Sequence, residues 1–144
     1  MIEQLQDNEI SQILDPSELI NLPILDISAF QDLRETIGDD GVFSDLVTIY
    51  FNSAETLIDT IQLALANQDT DKFTLATHSL KSTSASIGAA KLAKICKQLE
   101  KAGKIRQVSI FDSSEIIVVL LNNEYTQAIA AIKNLVIELI TNQE

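Results

Sequence analysis

The chain has little of what most functional classes require. Its 144 residues include one histidine and one cysteine, and no tryptophan. A lone Cys96 forms no internal disulfide, so nothing calls for an oxidising compartment. With no second histidine and no cysteine pair, the ligand spacing of a zinc site is missing. No Ser-His-Asp arrangement is supported by spacing, and no Gly-rich loop is present to cradle nucleotide phosphates. The longest apolar run, Ile116 to Leu121, is far too short to span a membrane. The opening Met1-Ile2-Glu3-Gln4-Leu5-Gln6-Asp7 lacks the basic and apolar regions of a secretion signal. These absences lead to the expectation of a cytoplasmic protein with no metal or cofactor of its own and no membrane association.

Glycine and proline are scarce as well, at four and two residues in a chain that is 46% hydrophobic. So little punctuation argues for long helices rather than short strands joined by turns. The length suffices for one domain with a substantial core. Cations are the other shortage: ten Lys and Arg stand against 21 Asp and Glu, for a net charge of −11. Nucleic acid is therefore an unfavourable partner. The bases are also unevenly placed. Residues 1–66 hold Arg34 alone and residues 108–144 hold Lys133 alone, whereas residues 67–107 carry the other eight against Asp69, Asp71 and Glu100. A local basic patch in an acidic chain suits a phosphoryl group or an acidic protein pocket. The lysines of residues 94–104 are more simply read as the solvated face of a helix.

Periodicity divides the chain into helices. Ile2, Leu5, Ile10, Ile13 and Leu14 form a rough stripe over residues 1–14, and Asp15-Pro16 reads as an N-cap with proline at the first helical position. Ser28 with Gln31 makes a capping-box pattern before Phe30, Leu33 and Ile37, and Gly38 provides the stop. Asp39-Asp40-Gly41 reads as a loop. The clearest helix then runs from Phe43 to Leu65 at 3–4 spacing. Asp69 or Thr70 caps the next helix, which Gly88 closes. From Ala89 another helix buries Leu92, Ile95, Cys96, Leu99 and Ala102, with Lys94, Lys97, Lys101 and Lys104 on its other side. A last helix starts near Ser113 or Ser114 and carries Val118, Leu121, Tyr125, Ala128, Ile132, Leu135 and Leu139 as a coiled-coil-like seam. Ile129, Val136 and Ile140 form a second line there, available to residues 1–14 or to another copy of the chain. The expected architecture is an all-α antiparallel four-helix bundle, residues 25–144, behind an N-terminal helical extension of short helices, residues 1–24.

The single histidine, His78, lies in the middle of its helix. With His78 at 0°, Phe73, Ala76, Leu80, Thr83, Ser84 and Ile87 fall between about 140° and 240°, so the core lies opposite the ring. Asp71, Thr74, Ser82 and Ala85 lie within about 40° of it, and Leu75 and Lys81 about 60° to either side. The expected imidazole is bare and reachable, and a solvent-facing ring is neither a core histidine nor an axial haem ligand. Neutral imidazole is a competent nucleophile toward phosphorus, and Lys81 at i+3 would neutralise charge on the equatorial oxygens of a transferring phosphoryl group. Ser82 and Ala85 keep the surface low, so a partner's active site would reach the ring. The chain would accept and donate a phosphoryl group without parts for making one.

These residues resemble the signature of the histidine-containing phosphotransfer (HPt) domain of multistep phosphorelays. The resemblance is carried by Ala76, His78, Leu80, Lys81, Ser84, Gly88-Ala89, Leu92, Cys96 and Leu99-Glu100, with Leu25-Asp26, Phe30, Leu33-Arg34, Gly38-Asp39-Asp40, Phe43, Leu46-Val47 and Phe51 as lead-in. It covers residues 25–105, and the last helix fits by pattern only. It implies phosphorylation of His78 on Nε2 and contact of Lys81 with the phosphoryl group. It also implies as partners a response-regulator receiver domain, whose own Mg²⁺ and aspartate do the chemistry, and a hybrid sensor histidine kinase. Leu75, Ser82 and Ala85 would form the docking surface. One position departs: the family usually has glycine directly after the lysine, and here Ser82 stands there. Its hydroxymethyl group would either crowd a docking receiver or donate a hydrogen bond to the phosphoryl. The competing expectation, of a different class, is an HPt-like helical module that binds a kinase or receiver without transferring phosphate.

Overall fold

In the computed structural model, residues 8–141 are described, with side chains from residues 10–138. Four long helices build the molecule: α3 (Asp40–Ala66), α4 (Thr70–Ile87), α5 (Ala90–Lys104) and α7 (Ser114–Thr141), preceded by α1 (Pro16–Leu19) and α2 (Ile27–Ile37), with α6 (Ser109–Asp112) between α5 and α7. The links α3–α4 and α4–α5 are too short for anything but antiparallel neighbours. Among the described residues there is no strand, and no helix is long and apolar enough to cross a membrane. The expected all-α four-helix bundle is the observed one.

The long helices bury the stripes their spacing marks. Phe43, Val47, Tyr50, Ala54, Ile58, Ile61, Ala64 and Leu65 line the inner face of α3, and Leu46, Phe51 and Leu57 are half-buried beside them. The apolar run Ile116–Leu121 is helical, and the seam of α7 is buried through Leu121, Tyr125, Ala128, Ile132 and Leu135, with Ile117 and Leu120 added. Ile129 and Val136 are half-buried against this same core, which includes Ile10, Ile13 and Leu14. The side chains of Leu139 and Ile140 lie outside the described set.

Several local expectations are corrected. Residues 8–12 form a short 3₁₀ turn instead of continuing a helix to residue 14, because Asp15-Pro16 starts a new element directly afterwards. Ile2 and Leu5 lie outside the described residues, while Ile10, Ile13 and Leu14 are buried. The capping-box expectation at Ser28 fails: Asp26 is the N-cap of α2, its carboxylate accepting the Ala29 N–H at 3.1 Å. Ser28 lies inside the first turn. Asp39-Asp40-Gly41 is not a loop, since Asp39 caps α3 and Asp40 is its first helical residue. An Asp in the chain before an apolar run is as good a cap as Ser, and here it takes precedence twice. The short α6 has no counterpart among the expected elements.

Two glycines set how α4 meets its neighbours. Gly88 ends α4 in the left-handed region (φ +96°), and its carbonyl accepts the Asp26 N–H at 2.7 Å, tying the end of α4 to the start of α2. Gly103, inside α5, touches α4 directly: a β-carbon there would run into Thr74 Oγ1 and lie 3.2 Å from Phe73 Cδ1. The missing side chain lets α5 lie flush against α4. Gly103→Ala should therefore destabilise the bundle by about 1–3 kcal/mol despite alanine's better helix propensity; urea denaturation checks this, and a neutral or stabilised variant would show that α4 yields freely at this point.

Candidate functional site

His78 is where the periodicity puts it, on the outer face of α4 with its side chain 55% exposed. Helix α4 is capped at its N-terminus by Asp69, whose carboxylate accepts the Lys72 N–H at 3.0 Å. It is anchored below by Phe73, Ala76, Leu80, Ser84 and Ile87, all buried. Thr77, one residue outside the arc assigned to the core, is fully buried as well and satisfies its hydroxyl on the Phe73 carbonyl at 2.9 Å. Beneath the site, the Tyr50 and Ser84 hydroxyls share a buried hydrogen bond of 2.9 Å that pins α3 to α4.

The ring is not bare. Its Nδ1 lies 2.6 Å from Oε2 of Glu100, a residue of α5 whose side chain is only 5% exposed. Lys81 does not extend into solvent either: its Nζ donates to Oε1 of the same carboxylate at 2.6 Å. Lys104, one turn further along α5, closes the group with Nζ 3.2 Å from Oε2. One carboxylate thus gathers the histidine and two lysines. Burial alone would raise the pKa of Glu100, but the donated bonds from Lys81, His78 and Lys104 outweigh it and hold the group down at about 2.

An ionised carboxylate only accepts hydrogen bonds, so the hydrogen between Glu100 and the ring belongs to Nδ1. The lone pair of the neutral ring then resides on Nε2, which has no hydrogen bond to any described residue. The neutral ring is therefore held in one tautomer, with two ammonium groups gathered on the same carboxylate that holds it.

The other expected residues divide. Ser82 and Ala85 are exposed and, with Lys81, line a groove of about 540 Å³ that continues over Leu22, Ala29 and Ala93. Leu75 is 68% exposed but lies outside this groove, on the N-terminal side of His78. The Cys96 thiol is buried one turn before Glu100, and desolvation pushes its pKa far up, so it is a core group as expected. Lys104 does not belong to a merely solvated face as expected, since it pairs with Glu100. Glu100 itself escaped the helical arithmetic, which treats each helix alone. Its signals in the sequence are its place among the residues that carry the family resemblance and its being an acid next to the stripe of Cys96 and Leu99 on a lysine-rich helix. Among the described residues no cluster of His, Cys, Asp and Glu could hold a metal.

The depressed pKa of Glu100 makes a signed prediction. Its contribution to stability is complete above the ordinary carboxylate value of 4.5 and is lost as pH falls through about 2. Glu100→Gln should be less stable than wild type at pH 7, and the two should converge as pH falls toward 2. Thermal unfolding across this range checks it; a constant gap at every pH would contradict it.

Comparison with known proteins bears on the family and the fold. The Hpt domain family model matches residues 45–135. The chain is 38% identical over 85 residues to Multistep phosphorelay regulator 1 of Schizosaccharomyces pombe, covering 58% of this chain and 29% of that protein. It is 34% identical over 77 residues to Sensor protein TorS of Escherichia coli, covering 54% of this chain and 8% of that protein. The chain thus spans less than a third of the length of the curated relatives it matches. Histidine-containing phosphotransfer protein B from Pseudomonas aeruginosa superposes with a TM-score of 0.69 at 22% identity, over 78% of this chain and 93% of that one. Histidine-containing phosphotransfer protein ZmHP2 from maize gives 0.63 at 24% identity, over 78% and 90%. At such identities the two structures speak for the fold. The fold, the matched residues and the outward-facing histidine converge on one conclusion: the chain belongs to the Hpt domain family.

Proposed function

We propose that the protein is a phosphorelay intermediate in which His78 accepts a phosphoryl group from the aspartyl phosphate of a receiver domain or hybrid sensor kinase and passes it to a response-regulator receiver. The observation that supports this most is the Nδ1–Glu100 bond, which leaves Nε2 as the free nucleophile on an exposed ring. In the transfer, the Nε2 lone pair forms the N–P bond while the P–O bond of the acyl phosphate breaks, and the electron pair leaves with the donor's aspartate. Nδ1 keeps its proton throughout. The ring becomes cationic, and the Glu100 carboxylate stabilises that charge through the hydrogen bond it already makes. Reversal of the same steps delivers the group to an acceptor aspartate, with Mg²⁺ supplied by the receiver.

The chain would act as a phosphocarrier without kinase activity of its own, in keeping with the absence of a nucleotide loop in its sequence. The groove at Lys81 and Ser82, lined by Ala29, Ala85 and Ala93 and by three lysines against the single acid Asp26, suits a receiver that presents apolar contacts around an acidic pocket. Ser82 stands at its edge, where a glycine would leave more room.

Incubation with a phosphorylated receiver, or with a hybrid kinase and ATP, should place acid-labile, alkali-stable phosphate on the protein, and His78→Gln should abolish it. Ser82→Ala should change the transfer rate while leaving the label in place. Absence of label on wild type across several receivers would favour a module that binds such partners without transfer; loss of all label in Ser82→Ala would give the hydroxyl an essential part.

A further inference from the structure

Glu100 holds more cations than its present bonds need. Oε1 accepts from Lys81 alone, at 2.6 Å, while Oε2 accepts from His78 at 2.6 Å and also faces Lys104 at 3.2 Å. Lys81 is therefore engaged in the resting protein, and drawing its ammonium toward a phosphoryl group on Nε2 would weaken its bond to Glu100. A carboxylate this buried does not stay ionised without compensation, and abandoning it is costly. Lys104 is already placed to provide that compensation: its ammonium stands 3.2 Å from Oε2, and it springs from the same helix one turn away.

We propose that Lys81 and Lys104 exchange duties at Glu100 when the phosphoryl group arrives. Lys81 moves from Oε1 to the phosphoryl oxygens, and Lys104 becomes the standing counter-ion of Glu100, so that the carboxylate keeps its charge and its hold on Nδ1–H. Lys104 is thus a positioning residue: it touches neither the reacting phosphorus nor the attacking nitrogen. The charge count agrees. Glu100, Lys81, Lys104 and a neutral His78 carry one net positive charge. A dianionic phosphoryl on a cationic ring brings the cluster to neutrality. Without Lys104 the resting cluster is neutral and the phosphorylated one carries a net negative charge, in a site where the Glu100 side chain is only 5% exposed.

The inference rests on the phosphoacceptor role of His78, and the test keeps the two apart. The full chain is treated with potassium phosphoramidate, a small donor whose P–N bond breaks with loss of ammonia, so no partner protein enters. Phosphorus NMR follows phospho-His78 in wild type, Lys104→Met and Lys104→Arg, with circular dichroism to verify folding. Lys104→Met should take up phosphate about tenfold more slowly than wild type, and Lys104→Arg should restore most of the rate. In ¹⁵N-lysine-labelled wild type, the Nζ resonances of both Lys81 and Lys104 should shift on phosphorylation. Equal uptake by Lys104→Met, or a Lys104 resonance unmoved by phosphorylation, overturns the exchange alone. Failure of wild type to take up any phosphate from phosphoramidate overturns the acceptor role itself, and the exchange with it.

Discussion

One buried carboxylate, kept ionised, governs the whole site. Glu100 is removed from water, which by itself favours the protonated form, yet it sits between three donors that reverse the preference. Once ionised, it dictates where the proton lies on His78, and the tautomer decides which nitrogen is free. The arrangement needs α4 and α5 in close contact at a defined height. Gly103 gives the closeness, because any side chain there would meet Thr74 one turn before His78. The tight turn through Gly88 gives the height, by fixing the register of the two antiparallel helices.

The opposite edge of α5 is held in an equally polar way. Gln98 is buried, and the N-terminal segment satisfies it: the Asp15 N–H donates to its Oε1 at 3.2 Å, and its Nε2 donates to Glu18 at 2.6 Å. With Ile10, Ile13, Leu14 and Leu19 packed into the core, this segment seats α5 from the side away from α4. Between it and the lysines of α5 runs a cleft of about 630 Å³ that opens at Lys81 and Glu100. The short N-terminal elements thereby shape the electropositive approach to the site as well as the core, even though residues 1–66 are the most acidic part of the chain.

Much of this architecture is legible in the sequence alone. Periodicity places the four long helices, the buried stripe of α3 and the outward ring of His78, because burial on one face of a helix repeats at 3.6 residues and leaves a record in the chain. The caps at Asp15 and Asp69 and the stop at Gly88 are legible because their chemistry is local. The features that escape share one physical cause. Glu100 lies 22 residues from His78 on another helix, and a helical wheel has no knowledge of its neighbour's register. Lys104 reads as one more solvated lysine for the same reason. The short elements fail differently: a few residues of 3₁₀ turn or of α6 carry too little periodic signal to outweigh tertiary packing. The resemblance to HPt domains includes Leu99-Glu100 among its residues, so the sequence marks the identity of the histidine's partner without revealing its role.

Glu100 fixes the His78 ring with its proton on Nδ1 and its lone pair on Nε2, and the chemistry proposed for the site stands or falls with that tautomer. Long-range ¹H–¹⁵N correlation of the resting protein tests this directly, since the two ring nitrogens of each neutral tautomer have well-separated shifts. A protonated, pyrrole-like Nδ1 and an unprotonated, pyridine-like Nε2 are expected whenever the ring is neutral. The reverse pattern, with the proton on Nε2, would contradict it.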